Sequence, residues 1–269
     1  MNKTIPTPYS DLNKVLNDIV KSTQKILKNN FVGAYLQGSF AIGAFDNHSD
    51  VDFIIVTEEE ITNDQVQKLQ VMHDRIYNKR SSWAQHLEGS YFPKEILRHR
   101  SNCGKKLWYL DNGSRQLIQS DHCNTVLVRW VIREKGITLV GPPPKTLVEK
   151  IDAEILREDI FKTINEWGKE IISNPDKYNN RFYQTFIVLN YCRMLHDLKN
   201  GTNGSKCAGA EWAKKNLDPF WINLIDRAWE GRPNPEKAVR QSANPEDFAK
   251  TLKFIEYVIK ESKRYITPK

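Results

Sequence analysis

The sequence predicts an α+β chain whose first half mixes strands with helices and whose second half is all helical. Three observations carry that reading. Short apolar, β-branched runs alternate with helix-period segments up to about residue 140. A proline-rich stretch, GPPPKTL (141–147), then interrupts the chain and cannot form regular structure. Beyond it every apolar pattern has helical spacing, so the expected domains are residues 1–145 and 146–269.

In chain order, residues 10–29 carry Leu12, Val15, Leu16, Ile19 and Val20 at helical intervals, with Ser10 placed to cap the helix. FVGAYL (31–36) reads as a strand, GSFAIGAF (38–45) as a turn that begins a helix, and VDFIIV (51–56) as a buried strand. Residues 63–78 are helical, with Val66, Leu69, Met72 and Ile76 on one side. WAQHLEGSYF (83–92) reads as a third strand, and LWYL-DNGS-RQLI (107–118) as a hairpin closed at Asn-Gly. NTVLVRWVIREKG (124–136) reads as a helix ended by Gly136. After the prolines, helices are expected over about 152–172, 181–199, 206–216, 218–230 and 246–265, with Ser205 and Asn244 as starts and Gly201 as a stop. A ligand site is expected where the two halves meet.

Composition narrows the function. No apolar run approaches the roughly 20 residues of a membrane span, and the start, MNKTIPTPYSDL, has no signal-peptide core. Cys103, Cys123, Cys192 and Cys207 are scattered without a CxxC pair, so reduced thiols in a cytoplasmic protein are expected. A net charge of +7, from 40 basic and 33 acidic residues, suits an anionic ligand such as a nucleotide. The basic residues are dispersed, which gives nucleic-acid binding little support.

The chemistry concentrates in GSFAIGAFDNHSDVD (38–52). Asp50 and Asp52 stand at i and i+2 at a strand start, so both carboxylates project to one face. Two like charges so close repel unless a cation lies between them, and hard oxygen ligands suit Mg²⁺. Mg²⁺ takes one or two protein carboxylates and fills its shell with water and phosphate oxygens, which points to metal plus nucleotide. Gly38 lets the backbone approach a ligand, and Ser39 offers a hydroxyl and an N–H to phosphate. Glu88, an acid inside an apolar-bounded strand, is the candidate third acid. Blander readings stand beside these: a common turn at Gly38-Ser39, a cap with solvated acids at SDVD, and an exposed sheet face at Glu88.

GS(x)10DVD followed by a third acid resembles the nucleotidyltransferase superfamily related to DNA polymerase beta. LNYCRML, SKCAGAEWAKKNL and LIDRAWEG in the second half are similar to the helical-domain motifs of the aminoglycoside O-nucleotidyltransferases that adenylylate streptomycin and spectinomycin. The resemblance implies a mixed β-sheet nucleotidyltransferase domain and a C-terminal helical bundle, with ATP and two Mg²⁺ in the cleft. It implies that Asp50, Asp52 and Glu88 are catalytic and metal-binding, and that Glu88 takes the acceptor's proton, orients the acceptor as a metal ligand, or does both. Gly38, Ser39, Ser49, Arg193, Lys206 and Trp229 would contact the nucleotide, with Trp229 standing where the family has a tyrosine. Tyr183 stands where an acid facing a cationic drug is expected, and Asn179 and Asn180 also lack acids. WYLDNGSRQLIQSDH (108–122) is similar to a branch of the group apart from the named resistance enzymes. Its Trp108 and Asp111 either face the acceptor or, for Trp108, belong to an ordinary core. His122 beside Cys123 makes only two ligands and is set aside as a zinc site.

The reaction implied is transfer of AMP from ATP to a hydroxyl of an aminoglycoside-type acceptor, with release of pyrophosphate, by a monomer. The rivals are a nucleotidyltransferase acting on RNA or protein, and a nucleotide sensor that has lost the reaction. No RNA-binding motif supports the first, and the intact acids oppose the second.

Overall fold

The computed structural model describes residues 5–46, 49–232 and 235–266. Residues 47 and 48 of the acidic motif and the first four residues of the chain lie outside the described residues. The chain divides into two compact units, Met1–Ile151 and Asp152–Lys269. No helix among the described residues is long and apolar enough to cross a membrane.

The first unit runs α1 (Ser10–Leu27), β1 (Phe31–Leu36), α2 (Gly38–Ala41), β2 (Val51–Thr57), α3 (Asn63–Tyr77), β3 (Leu87–Pro93), α4 (Lys94–Arg98), β4 (Leu107–Leu110), β5 (Leu117–Ser120), α5 (Val126–Lys135) and β6 (Ile137–Val140). Its six-stranded sheet has the order β5-β4-β3-β2-β1-β6. The sheet is mixed: β2 and β3 are parallel, and the other pairs are antiparallel. The parallel pair needs a crossover, which α3 supplies.

The apolar run of β2 is explained by cover on both faces. Val51, Phe53 and Ile55 pack with Leu12 and Leu16 of α1 and Leu69 and Ile76 of α3. Ile54 and Val56 pack in a second cluster with Tyr35, Phe92, Leu97 and Ile132. Each fully buried aliphatic side chain is worth about 1.5–3 kcal/mol. That anchors the strand whose leading end carries the acids.

Several expectations are corrected. Ser10 is the first helical residue and Tyr9 the cap, without a side-chain capping bond. WAQH is not strand: a 3₁₀ turn covers Ser82–Gln85, and β3 begins at Leu87. There Trp83 packs against the rings of Tyr9 and Phe40. The hairpin exists, but Leu110 pairs with Leu117, so its loop spans 111–116 rather than a two-residue Asn-Gly turn. Gly136 ends α5 with φ −53°, not in the left-handed conformation. A strand absent from the sequence reading, β6, pairs with β1. The proline stretch is not a loose connector: Leu147 and Val148 are buried in the second core cluster of the first unit.

The second unit is helical: α6 (Ala153–Ser173), α7 (Arg181–Asn200), α8 (Lys206–Asn216), α9 (Ile222–Glu230), α10 (Pro235–Ala238) and α11 (Pro245–Ser262). The Ser205 hydroxyl accepts from Ala208 N at 3.0 Å, and the Asn244 side chain accepts from Asp247 N at 3.0 Å. Gly201 ends α7 at φ 62°. The segment read as one helix over 218–230 is split, because the Asp218 carboxylate caps a 3₁₀ turn before α9. Likewise α11 gives way to a 3₁₀ turn at Lys263–Tyr265. No disulfide joins the four cysteines.

Candidate active site

The site begins where β1 turns into α2. Gln37 N donates to Asp52 O at 2.9 Å, tying the end of β1 to the start of β2. Gly38 then adopts φ 58°, and a Cβ there would lie 2.0 Å from Asp52 Oδ2. Only glycine fits both demands, so the Asp52 carboxylate rests directly against the Gly38 backbone. The Ser39 hydroxyl is buried and has no hydrogen-bond partner among the described residues. Helix α2 is one turn long, so a helix dipole adds little there; the orphan hydroxyl and the glycine cradle are what the turn offers a phosphate. Ser49 is engaged locally: its Oγ accepts from Asp46 N at 2.9 Å and lies 3.4 Å from Asp46 Oδ1.

Asp52 and Glu88 are direct partners in the parallel β2–β3 register. They therefore stand side by side on the sheet face that also carries Ile54, Phe92 and Tyr109. Asp50 precedes the strand, which begins at Val51, so alternation alone does not place it. The Asn112 side-chain amide donates to Asp50 Oδ1 at 2.6 Å. The hairpin loop is thus fastened to the start of β2.

The same hairpin reaches Glu88. The Tyr109 hydroxyl lies 2.8 Å from Glu88 Oε1 and 2.9 Å from Asp111 Oδ1. His122 Nε2 lies 3.2 Å from Glu88 Oε1. Burial first, and then the Glu88 and Asp111 carboxylates, push the Tyr109 phenol far above its ordinary range, so it remains a donor. The hydrogen bond that His122 donates to Glu88, helped by the charges of Glu88, Asp111 and Asp52, raises its imidazole above the usual value. Burial above all, with those same acids adding, pushes the Cys123 thiol up to about 12. His122 and Cys123 are only two ligands, and among the described residues no third side chain joins them in a metal-binding group.

Alternation along β4 decides Trp108. Leu107 and Tyr109 belong to the cluster on the acid face, whereas Trp108 packs against the opposite cluster with α1 and α3. Trp108 is therefore half-buried on the sheet face opposite the one that carries Asp52 and Glu88. Asp111, exposed in the loop and bridged to Glu88 by Tyr109, is beside them.

Among the described residues, no three His, Cys, Asp or Glu side chains enclose a metal ion. Mg²⁺ needs only one or two carboxylates when phosphate and water complete its shell. The Asp50–Asp52 donor set, the cradle at Gly38 and the unpartnered Ser39 hydroxyl fit that mode of binding.

In the second unit, Arg193 donates to Asn190 Oδ1 at 2.7 Å on α7. A Cβ on Gly209 would come within 2.5 Å of Arg193 Cα, so α8 packs directly on the α7 backbone at this point. Lys206, the first residue of α8, lies over the Phe186 ring at 4.8 Å. The Trp229 ring, at the end of α9, carries the Arg232 guanidinium at 4.6 Å. Tyr183 is half-buried in an aromatic cluster with Tyr178 and Phe182.

Tyr109, Asn112 and His122 were not among the sequence candidates. The contiguous string YLDNGS…SDH carried the only local signal for them. In the sequence His122 stands out only beside Cys123, and nothing local marks it as a neighbour of Glu88.

Comparisons agree along the chain. Residues 16–96 match the nucleotidyltransferase domain family, and residues 146–260 match the aminoglycoside adenylyltransferase C-terminal domain family. The chain is 31% identical over 204 residues to the spectinomycin 9-adenylyltransferase of Enterococcus faecalis, covering 72% of this chain and 76% of that protein. A crystal structure of a spectinomycin adenyltransferase from Enterococcus, with ATP and spectinomycin, superposes with a TM-score of 0.65 at 18% identity. The superposition covers 92% of this chain and 98% of that one, and at such identity it shows the shared fold. With both halves matched by family models and a relative 31% identical over 72% of the chain, the chain belongs to the aminoglycoside adenylyltransferase family of nucleotidyltransferases.

Proposed function

We propose that the protein transfers AMP from ATP to a hydroxyl of an aminoglycoside-type antibiotic, of the streptomycin and spectinomycin kind, and releases pyrophosphate. The observation that supports this most is the register that sets Asp52 beside Glu88, with Asp52 lying on Gly38. The Enterococcus relative is a spectinomycin 9-adenylyltransferase, and its family is this chain's family.

Asp50 and Asp52 would hold Mg²⁺, two ions in this reading, which when bound neutralises the triphosphate and polarises its α-phosphoryl group. The rest falls to the chain. Gly38, Ser39 and Ser49 receive phosphate oxygens. Glu88 accepts the proton of the attacking hydroxyl as its oxygen bonds to the α-phosphorus and pyrophosphate departs. Arg193 and Lys206 counter the charge of the triphosphate, and Trp229 gives the base an aromatic face. Asp111 faces the ammonium groups of the acceptor, and Tyr183 offers it an aromatic contact in place of a carboxylate. Catalysis and the Asp111 contact thus fall to residues 1–145, and the contacts of Tyr183, Arg193, Lys206 and Trp229 to 146–269, in a cytoplasmic monomer that needs no nucleic acid.

Incubation with labelled ATP, Mg²⁺ and a panel of aminoglycosides tests the reading. Label is expected on at least one drug, with pyrophosphate formed only when that drug is present. Pyrophosphate without acceptor, or none with any acceptor, would overturn it. MgATP at 100 times its dissociation constant is expected to stabilise the protein by about 2.7 kcal/mol, visible as a rise in melting temperature that ATP with chelator does not match. Lys206→Ala should shrink that rise without moving the melting point of the unliganded protein. A full MgATP response in this variant would remove Lys206 from the nucleotide site.

A further inference from the structure

Glu88 is held by two donors, one on strand β4 and one just beyond β5. Both converge on one carboxylate oxygen, Oε1: the Tyr109 hydroxyl at 2.8 Å and His122 Nε2 at 3.2 Å. An ionised carboxylate oxygen only accepts, so the imidazole carries its proton on Nε2. Tyr109 has a single hydroxyl proton and two acidic neighbours, because Asp111 Oδ1 is 2.9 Å from the same hydroxyl. It can therefore serve only one carboxylate at a time. His122 supplies the second donor, so Glu88 keeps a partner when the phenol turns to Asp111. The Tyr109 ring is buried among Leu107, Phe92 and Cys123, which fixes where its hydroxyl points. The His122 ring lies 5.3 Å from it.

We propose that Tyr109 and His122 are positioning residues for adenylyl transfer: by holding Oε1 of Glu88 they present its other oxygen, Oε2, to the acceptor hydroxyl. The proposal rests on the reading of Glu88 as the group that takes the acceptor's proton. In that step the O–H proton passes to Oε2 while the acceptor oxygen bonds to the α-phosphorus. The bond from that phosphorus to the α–β bridging oxygen breaks, and its electron pair leaves with pyrophosphate. Neither Tyr109 nor His122 touches the nucleotide in this scheme, so their removal slows the chemical step and spares ATP binding.

The test is steady-state kinetics with ATP, Mg²⁺ and an acceptor that the wild-type protein adenylylates, spectinomycin being tried first. Tyr109→Phe keeps the buried ring and deletes only the hydroxyl; His122→Leu deletes the exposed donor without disturbing the core. Each is expected to lower kcat about tenfold, the loss of one hydrogen bond to a charged group. KM for ATP and the melting temperature should hold. His122→Gln, whose side-chain amide can reach the same oxygen, should recover most of the loss. Wild-type kcat in both deletion variants, a change confined to KM for ATP, or a His122→Gln variant as slow as His122→Leu would overturn the proposal. A wild-type protein that adenylylates no acceptor would overturn the functional reading, and this proposal with it.

Discussion

Asp52→Asn is expected to slow AMP transfer by about a thousandfold, an effect of about 4 kcal/mol on the barrier, while the protein stays folded. Asp52 is the carboxylate that rests on Gly38 and stands next to Glu88 in the sheet register. Asparagine keeps the size of the side chain and the backbone bond from Gln37 N to Asp52 O, so β2 is not disturbed. It removes one of several like charges crowded at one end of the sheet, so without metal the melting temperature should hold or rise. What it cannot do is offer Mg²⁺ an anionic oxygen. Asp50→Asn should act alike, since its remaining oxygen can still accept from Asn112. Pyrophosphate release rates and thermal melts check both variants. Wild-type turnover in both would remove the metal assignment.

Glu88→Gln is expected to lose transfer by about 10²–10⁴-fold and still bind MgATP within a few-fold of wild type. Glutamine retains an oxygen that can accept from Tyr109 and His122, so the local hydrogen bonds survive and only proton acceptance is lost. Separate measurement of kcat and of the MgATP dissociation constant distinguishes the two effects. If turnover stayed within a few-fold of wild type, Glu88 would be structural. Asp111, linked to it through the Tyr109 hydroxyl, would then be the acid to test.

What could be read from the sequence was what local chemistry encodes. VDFIIV is continuous and β-branched because both its faces are covered, and it emerges as β2. Gly201, Ser205 and Asn244 announce helix ends by their own conformation and hydrogen bonding, and they serve as caps in the structure. Features set by distant partners were not legible. Residues 137–140 become β6 only by pairing with β1, about a hundred residues earlier in the chain. WAQH was read as one strand with the LEGSYF that follows it, but it forms a 3₁₀ turn in which Trp83 packs on Tyr9, a partner far away in sequence. Asn112-Gly113 signalled a tight turn, but the Leu110–Leu117 register leaves a longer loop that frees Asn112 to reach Asp50. For the candidate site, the acids were visible one by one. That Asp52 pairs with Glu88, and that His122 folds back on it, depends on strand register and on a turn beyond β5, which no short stretch of sequence specifies.

The central claim is that the leading ends of β2 and β3, against the Gly38-Ser39 turn, bind metal and triphosphate for adenylyl transfer. Anomalous scattering from crystals grown with Mn²⁺ in place of Mg²⁺ and a non-transferable ATP analogue tests it most directly. The expected map has a manganese peak within bonding distance of the Asp50 and Asp52 carboxylates, with the triphosphate on Gly38 and Ser39. An analogue bound in full with no metal at either aspartate, or bound away from that turn, would contradict the account.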